Sequence, residues 1–306
     1  MDDARIYTNL ARLIALKQYA MKIRLSASYR PAGMLSGQHA SRLRGSGLNF
    51  EELRQYQDGD NIRQIDSRTS ARLGKPYVRI YSEETDRPVS IVVDQRLSMF
   101  FGSVDKTKSV VAAEVAALFA WMAHSAGDRV GGLVIADKMH QISTKRTSRG
   151  VLQLLETIVT ANNQLSLDPV KASNNPQTSI FSQVKPWLSS LNNQSVVILI
   201  TDIEGLAEDD INELEVIHHK ANVLLFIVQD PLEVDISQAH GLSVSQGQQQ
   251  INIQANTDNQ DKFDQLYKAK LQRLEQALVA STLPIGLVNT IDPVDVQIAT
   301  LLQGYK

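Results

Sequence analysis

The chain has 306 residues, 43% hydrophobic and 21% charged, which excludes wholesale disorder and leaves room for two domains or one large α/β domain with an added module. It has no cysteine, so disulfides, thiolate metal ligands, iron–sulfur clusters and cysteine nucleophiles are excluded, and the composition fits a reducing cytoplasm. The net charge of -2 is unevenly spread, with 15 Lys and Arg against 10 Asp and Glu in residues 1–90 and 16 against 23 thereafter.

Residues 4–50 hold eight basic residues and no acidic one. Such a run attracts an acidic partner, nucleic acid included, or lies on the acidic remainder of its own chain. Ile6, Leu10, Leu13, Ile14, Met21 and Ile23 fall at helical spacing and predict an amphipathic helix over 4–23. No apolar core followed by a small-residue cleavage site stands at the start, so no signal peptide is expected. Residues 29–47 are rich in Gly, Ser and Pro and read as a connector. Strands are predicted over 53–57, 62–67 and 77–81, the first two joined by the turn signal Asp58-Gly59. Residues 1–87 thus form an N-terminal helix, a connector and a small β-rich module.

From Pro88 the pattern changes to alternating strands and helices. Residues 89–93 form a short apolar run suited to a buried parallel strand, followed by an Ala-rich helix over 107–126 that ends at Gly127. Its most apolar part, 109–123, is interrupted by Glu114 and is too short to span a bilayer. A strand over 130–136 and a hairpin partner over 139–142 come next, then a helix over 151–159 and a polar surface loop over 161–179. A helix over 181–191, tolerating Pro186, leads to the most apolar run of the chain, 196–200, read as a central strand. A helix over 207–220, a buried strand over 223–228, a β-ribbon inserted near 241–254, a long helix over 263–278 and a strand over 285–288 follow. Asp292-Pro293 opens a terminal helix. This order predicts, for residues 88–306, a doubly wound, mainly parallel, Rossmann-like α/β sheet, whose ligands would sit at the carboxyl ends of its strands.

Two buried strands run into carboxylates, 89–93 into Asp94 and 196–200 into Thr201-Asp202. In an open parallel sheet these ends share an edge, so Asp94 and Asp202 face one another across a crevice. With the hydroxyls of Ser98 and Thr178 they make an all-oxygen set suited to Mg²⁺. The plainer alternative is that all four cap strands, turns and helices. The acidic residues Asp202, Glu204, Glu208, Asp209, Asp210, Glu213 and Glu215 read either as an acidic rim beside this site or as ordinary compensation of a helix dipole.

A strand, then Asp-x-Ser-x-Ser, later a Thr before a helix and later a strand ending in Asp, is the metal-ion-dependent adhesion site of von Willebrand factor A-like domains. The chain resembles it with Arg96 in place of the first Ser. Upstream, Gly45-Ser46-Gly47-Leu48-Asn49-Phe50, Glu52-Leu53-Arg54-Gln55-Tyr56, Asp58-Gly59-Asp60-Asn61-Ile62-Arg63-Gln64-Ile65-Asp66, Ala71-Arg72 and Glu83-Glu84 resemble the signature of domain-of-unknown-function family 58, with Ser67 where the pattern has Trp. Gly127-Asp128-Arg129-Val130-Gly131 and Asp230-Pro231-Leu232-Glu233 fit it too. The resemblance implies a non-enzymatic adaptor that serves a MoxR-type AAA+ ATPase and a client protein. It also implies a partner-binding face carrying Asp94, Arg96, Ser98, Thr178 and Asp202. A guanidinium between the two carboxylates would supply the charge a divalent ion otherwise supplies, so the expected cofactor is none, or weakly bound Mg²⁺.

Enzyme signatures are absent. There is no P-loop, Gly45-Ser46-Gly47 follows no buried strand, and the six His residues show no zinc spacing. Asp58, Asp60 and Asp66 read as structural residues among Arg63, Arg68 and Arg72. Two competing readings remain: a metal-dependent hydrolase using Asp94 and Asp202, and a nucleic-acid binder using the basic N-terminal run, which has few aromatic residues for stacking.

Overall fold

The computed structural model of the chain describes residues 3–26, 49–57, 60, 62–82, 87–166, 179–191, 195–218, 220–234, 243–245, 250–252, 269, 272, 276 and 283–304. Two helices open it, α1 (Leu10–Ala15) and α2 (Lys17–Ser26), with the Asn9 side chain accepting from the Arg12 amide as the cap of α1. The single stripe predicted over 4–23 is corrected: Leu13, Ala20 and Ile23 are buried, whereas Ile6, Ile14 and Met21 are exposed. A one-residue break at Leu16 separates two helices, and the face they bury runs through Leu13, Leu16, Ala20 and Ile23 rather than through every apolar residue of the segment.

Strand β1 (Asn49–Gln55) pairs antiparallel with β2 (Tyr77–Ser82). Between them stand a 3-10 turn (Ile62–Gln64) and helix α3 (Ser67–Leu73) in place of the strand predicted over 62–67. Asp66 is the reason. Its carboxylate accepts the Thr69 amide at 2.7 Å and caps α3, and Arg79 of β2 pairs with it at 2.6 Å; an Asp so placed offers the backbone a helix start that outweighs local strand preference. Gly74 closes the helix at φ +68, a left-handed conformation that suits glycine. The Asp58-Gly59 turn and the connector over 29–47 lie outside the described residues.

The α/β body follows: β3 (Pro88–Asp94), α4 (Lys108–Ser125), β4 (Arg129–Ile135), β5 (Met139–Lys145), α5 (Ser148–Gln164), α6 (Ile180–Ser189), β6 (Val196–Thr201), α7 (Glu208–His218), β7 (Asn222–Gln229), α8 (Pro231–Val234), the ribbon β8 (Ser243–Ser245) and β9 (Gln250–Asn252), β10 (Ile285–Asn289) and α9 (Val294–Gly304). Six strands make one sheet in the order β10-β7-β6-β3-β4-β5, parallel throughout except for the β4–β5 hairpin. The loop expected over 161–179 is helical to Gln164, and residues 167–178 lie outside the described residues. Most of the helix expected over 263–278 does too, although Ala269, Gln272 and Gln276 are helical.

Helices cover both faces of the sheet, which is why β3, β6 and β7 are buried at successive residues rather than alternately. One face carries α4, α5 and α9 with α1 and α2 packed over them, and the other carries α6 and α7. Helix α4 is buried at every residue from 108 to 123 because the sheet lies on one side and four helices on the other. The indole of Trp121 donates to the Leu13 carbonyl at 3.0 Å and Glu114 pairs with Arg12 at 2.5 Å, so the N-terminal helices share the packing of this body. Gly132 lets β4 lie close beside β3: at φ +146, a Cβ there would collide with the Ile91 carbonyl oxygen. Among the described residues, no helix is long and apolar enough to cross a membrane.

Candidate site at the carboxyl edge of the sheet

The parallel strands deliver a row of polar residues to one edge. From the order of the sheet, Thr290 after β10, Asp230 after β7, Thr201 and Asp202 at the end of β6 and Asp94 at the end of β3 stand side by side, and all five are buried. The chain leaves β3 toward β4 and enters β6 on the other side of β3. The gap between β3 and β6 is therefore where the sheet switches direction, the place where open α/β sheets form their crevices.

Asp94 is closed off by its own segment. The Arg96 amide and Nε donate to Oδ1, both at 3.0 Å, while Arg96 Nη2 donates to Oδ2 at 2.7 Å, so the guanidinium grips the carboxylate with two prongs. Thr201 Oγ1 completes the set by donating to Oδ2 at 2.8 Å from the neighbouring strand. Burial opposes the charge on Arg96, and the hydrogen bond to Asp94 together with the charges of Asp94 and Asp202 outweighs it, so its pKa lies above the ordinary arginine value.

Asp202 is satisfied by other partners. Its Oδ1 accepts the Gly205 amide at 2.8 Å and its Oδ2 accepts Lys108 Nζ at 2.8 Å. Lys108, the first residue of α4, also donates to Glu233 Oε1 at 2.5 Å, and its ammonium lies 5.8 Å from the centre of the Phe101 ring. Burial pulls the lysine toward neutrality, but the charges of Asp202 and Glu233 prevail and hold its pKa above the ordinary value. Glu233 Oε2 accepts the Asp230 amide at 3.1 Å. Asp230 in turn accepts the Ser103 amide at 2.9 Å, the Ser103 hydroxyl, the Leu232 amide at 3.0 Å and Thr290 Oγ1 at 2.7 Å. Gly205 sits between the two halves: a Cβ there would collide with Thr201 Oγ1 and lie 3.1 Å from Arg96 Nη2 and 3.3 Å from Asp202 Oδ1.

The edge thus brings Asp94, Arg96 and Asp202 together. Ser98 lies in the 3-10 turn Leu97–Met99 beside them, its Oγ buried without a hydrogen-bond partner. Thr178 lies outside the described residues, and its neighbour Ser179 caps α6 by accepting the Phe181 amide at 3.1 Å. As placed, Asp94, Ser98 and Asp202 do not fit a divalent cation. The Ser98 hydroxyl is open, but both oxygens of each carboxylate are taken, and a guanidinium and an ammonium stand where the ion's charge would be. Among the described residues, no group of three or more His, Asp or Glu is arranged to hold a metal ion.

Sequence reasoning missed Lys108, Thr201, Glu233 and Thr290 as members of this edge. Asp230 carried the same signal as Asp202, a carboxylate one residue beyond a buried apolar run. The acidic series after Thr201 resolves partly into capping: Asp210 accepts the Ala207 amide at 2.7 Å and the Ser179 hydroxyl, joining the starts of α6 and α7, while Glu213 pairs with Lys185 at 2.7 Å.

A family model described as "Protein of unknown function DUF58" matches residues 52–276. Among curated relatives, "Uncharacterized protein Mb1516" of Mycobacterium bovis and "Uncharacterized protein Rv1480" of Mycobacterium tuberculosis are each 25% identical over 215 residues, 70% of this chain and 65% of theirs. The chain therefore spans about two thirds of the length of the curated relatives it matches. Among solved structures, similarity is found to an aerotolerance-related membrane protein from Bacteroides fragilis (14% identity, TM-score 0.41, covering 71% of this chain and 97% of that one). A mutant of the PilB minor pilin from Streptococcus sanguinis also matches (10% identity, TM-score 0.35, covering 75% and 63%).

Proposed function

The chain belongs to the DUF58 family, and on that premise we propose that it is a non-enzymatic protein-interaction module, an adaptor or partner of a MoxR-type AAA+ ATPase in client remodelling or assembly. Its α/β body is read as a von Willebrand factor A-like domain whose adhesion site is degenerate, and a cytoplasmic setting belongs to the same proposal. The observation that carries this reading is the saturation of the carboxyl edge. Asp94 and Asp202 are fully buried, each is held by a cationic side chain, and each has both oxygens hydrogen-bonded. A general base or nucleophile needs an accessible oxygen within reach of a substrate, and these carboxylates offer none. What the edge presents outward is suited to protein contact: Val104 and Ile291 are 62% and 45% exposed, with Glu204, Asp105 and Asp292 exposed as well.

The experiment is affinity purification of the tagged chain from its native cells with ATP present, with mass spectrometry of what is retained. The wild type is compared with an Asp94→Ala, Arg96→Ala double variant, which removes both members of one buried pair, and with Glu204→Lys on the rim. An AAA+ ATPase retained by the wild type and lost from the rim variant supports the adaptor reading and places the contact at this edge. No ATPase retained by the wild type overturns it.

A further inference from the structure

The misfit between this edge and a divalent ion extends beyond Arg96. We infer that Lys108 is a resident cation of the carboxyl edge, standing where a divalent ion would otherwise bridge Asp202 and Glu233, so that the edge keeps one configuration whether or not metal is present. This rests on the geometry alone and holds whatever partner the edge binds.

Three observations converge on Lys108. Its ammonium is shared by two carboxylates from separate elements, Asp202 at the end of β6 at 2.8 Å and Glu233 of α8 at 2.5 Å. The residue is 1% exposed, and an ammonium so deeply buried is strongly disfavoured unless it is paired. It also occupies the first position of α4, directly after the Thr107 cap, where the helix dipole favours anions and disfavours cations. Neither helix formation nor apolar burial calls for a lysine here; the two carboxylates do. Local preference overruled in this way marks a position held by its tertiary role.

The surroundings fix the arrangement. Asp230, three residues before Glu233, is tied to Ser103 and Thr290, and this holds α8 against the loop that leads into α4. A magnesium ion would need about six oxygens in near-octahedral geometry at roughly 2.0–2.1 Å. Here the ammonium takes one oxygen from each carboxylate, and the Arg96 charge repels a further cation.

The test uses the purified full chain and thermal unfolding in EDTA or in millimolar MgCl₂ or MnCl₂. The wild type is expected to melt at the same temperature in all three. Lys108→Met, which leaves two facing carboxylates unpaired, is expected to melt roughly 10 °C lower in EDTA and to regain stability saturably as Mn²⁺ is added. A saturable metal-dependent rise in the wild type overturns the inference, as does a Lys108→Met protein that folds and responds to Mn²⁺ no more than the wild type. A second measurement needs no variant. Acetylation of folded wild-type protein, mapped by mass spectrometry, is expected to leave Lys108 unmodified in EDTA and in Mn²⁺ alike, and labelling of Lys108 once Mn²⁺ is added would show that metal displaces it.

Discussion

Burial lifts the Glu233 carboxyl above its ordinary value of 4.5; the Lys108 ammonium and the Asp230 amide pull it back, and the charge of Asp202 adds to the rise. A carboxyl that holds its proton more tightly in the folded chain than in the unfolded one stabilises the fold below its ordinary value, and that stability is lost as pH climbs through the raised value. The melting temperature of the wild type should therefore decline above pH 4.5 relative to Glu233→Gln, whose profile over the same interval should be flatter; equal slopes would remove Glu233 from the account. Lys108 itself keeps its proton throughout that interval, because its folded value lies above the ordinary 10.5. Asp94 and Asp202 were legible in the sequence because each stands at the end of an apolar run, directly after it for Asp94 and one residue on for Asp202. Lys108 was not, because a lysine near a helix start reads as a solvated residue. Its partners stand 94 and 125 residues away, and only the closed sheet brings them to it.

At the scale of elements, the strands of the α/β body were readable from their continuous apolar runs, and α4 from its length and its closing Gly127. The error over 62–67 shows where pattern reading fails. A short stretch with two isoleucines favours a strand, yet one carboxylate in capping position turns residues 67–73 into α3. Asp66 is held below its ordinary value of 3.8 chiefly by the Thr69 amide and next by Arg79. It thus supports the fold above pH 3.8, and that support is lost as pH falls through its lowered value. Replacing it by Ala should loosen the first turn of α3. Hydrogen exchange across Ser67–Leu73 is the measurement, and unchanged protection would show that the cap contributes nothing.

At the scale of the whole molecule, the order of the sheet and the place of the N-terminal helices could not be read from periodicity. Periodicity reports which face of an element is apolar and not what covers it. Helices α1 and α2 cover α4, whose apolar surface runs all the way round. A chain lacking residues 1–26 should therefore expose that surface and melt well below the full chain or precipitate; a soluble product of equal melting temperature would contradict the layered packing. The N-terminal segment also reaches the carboxyl edge. Thr107 donates its amide to the Arg5 carbonyl at 2.9 Å and its hydroxyl to the Ile6 carbonyl at 3.2 Å, immediately before Lys108, while Lys106 donates to the Thr290 carbonyl at 3.4 Å. Residues 5 and 290 thus brace the two sides of one short segment. During synthesis, a chain that has emerged only as far as β7 lacks half of that brace. The site is completed late, when segments from near both ends of the sequence have docked on residues 106–107, and such long-range closure is the slow step expected for a sheet of this kind.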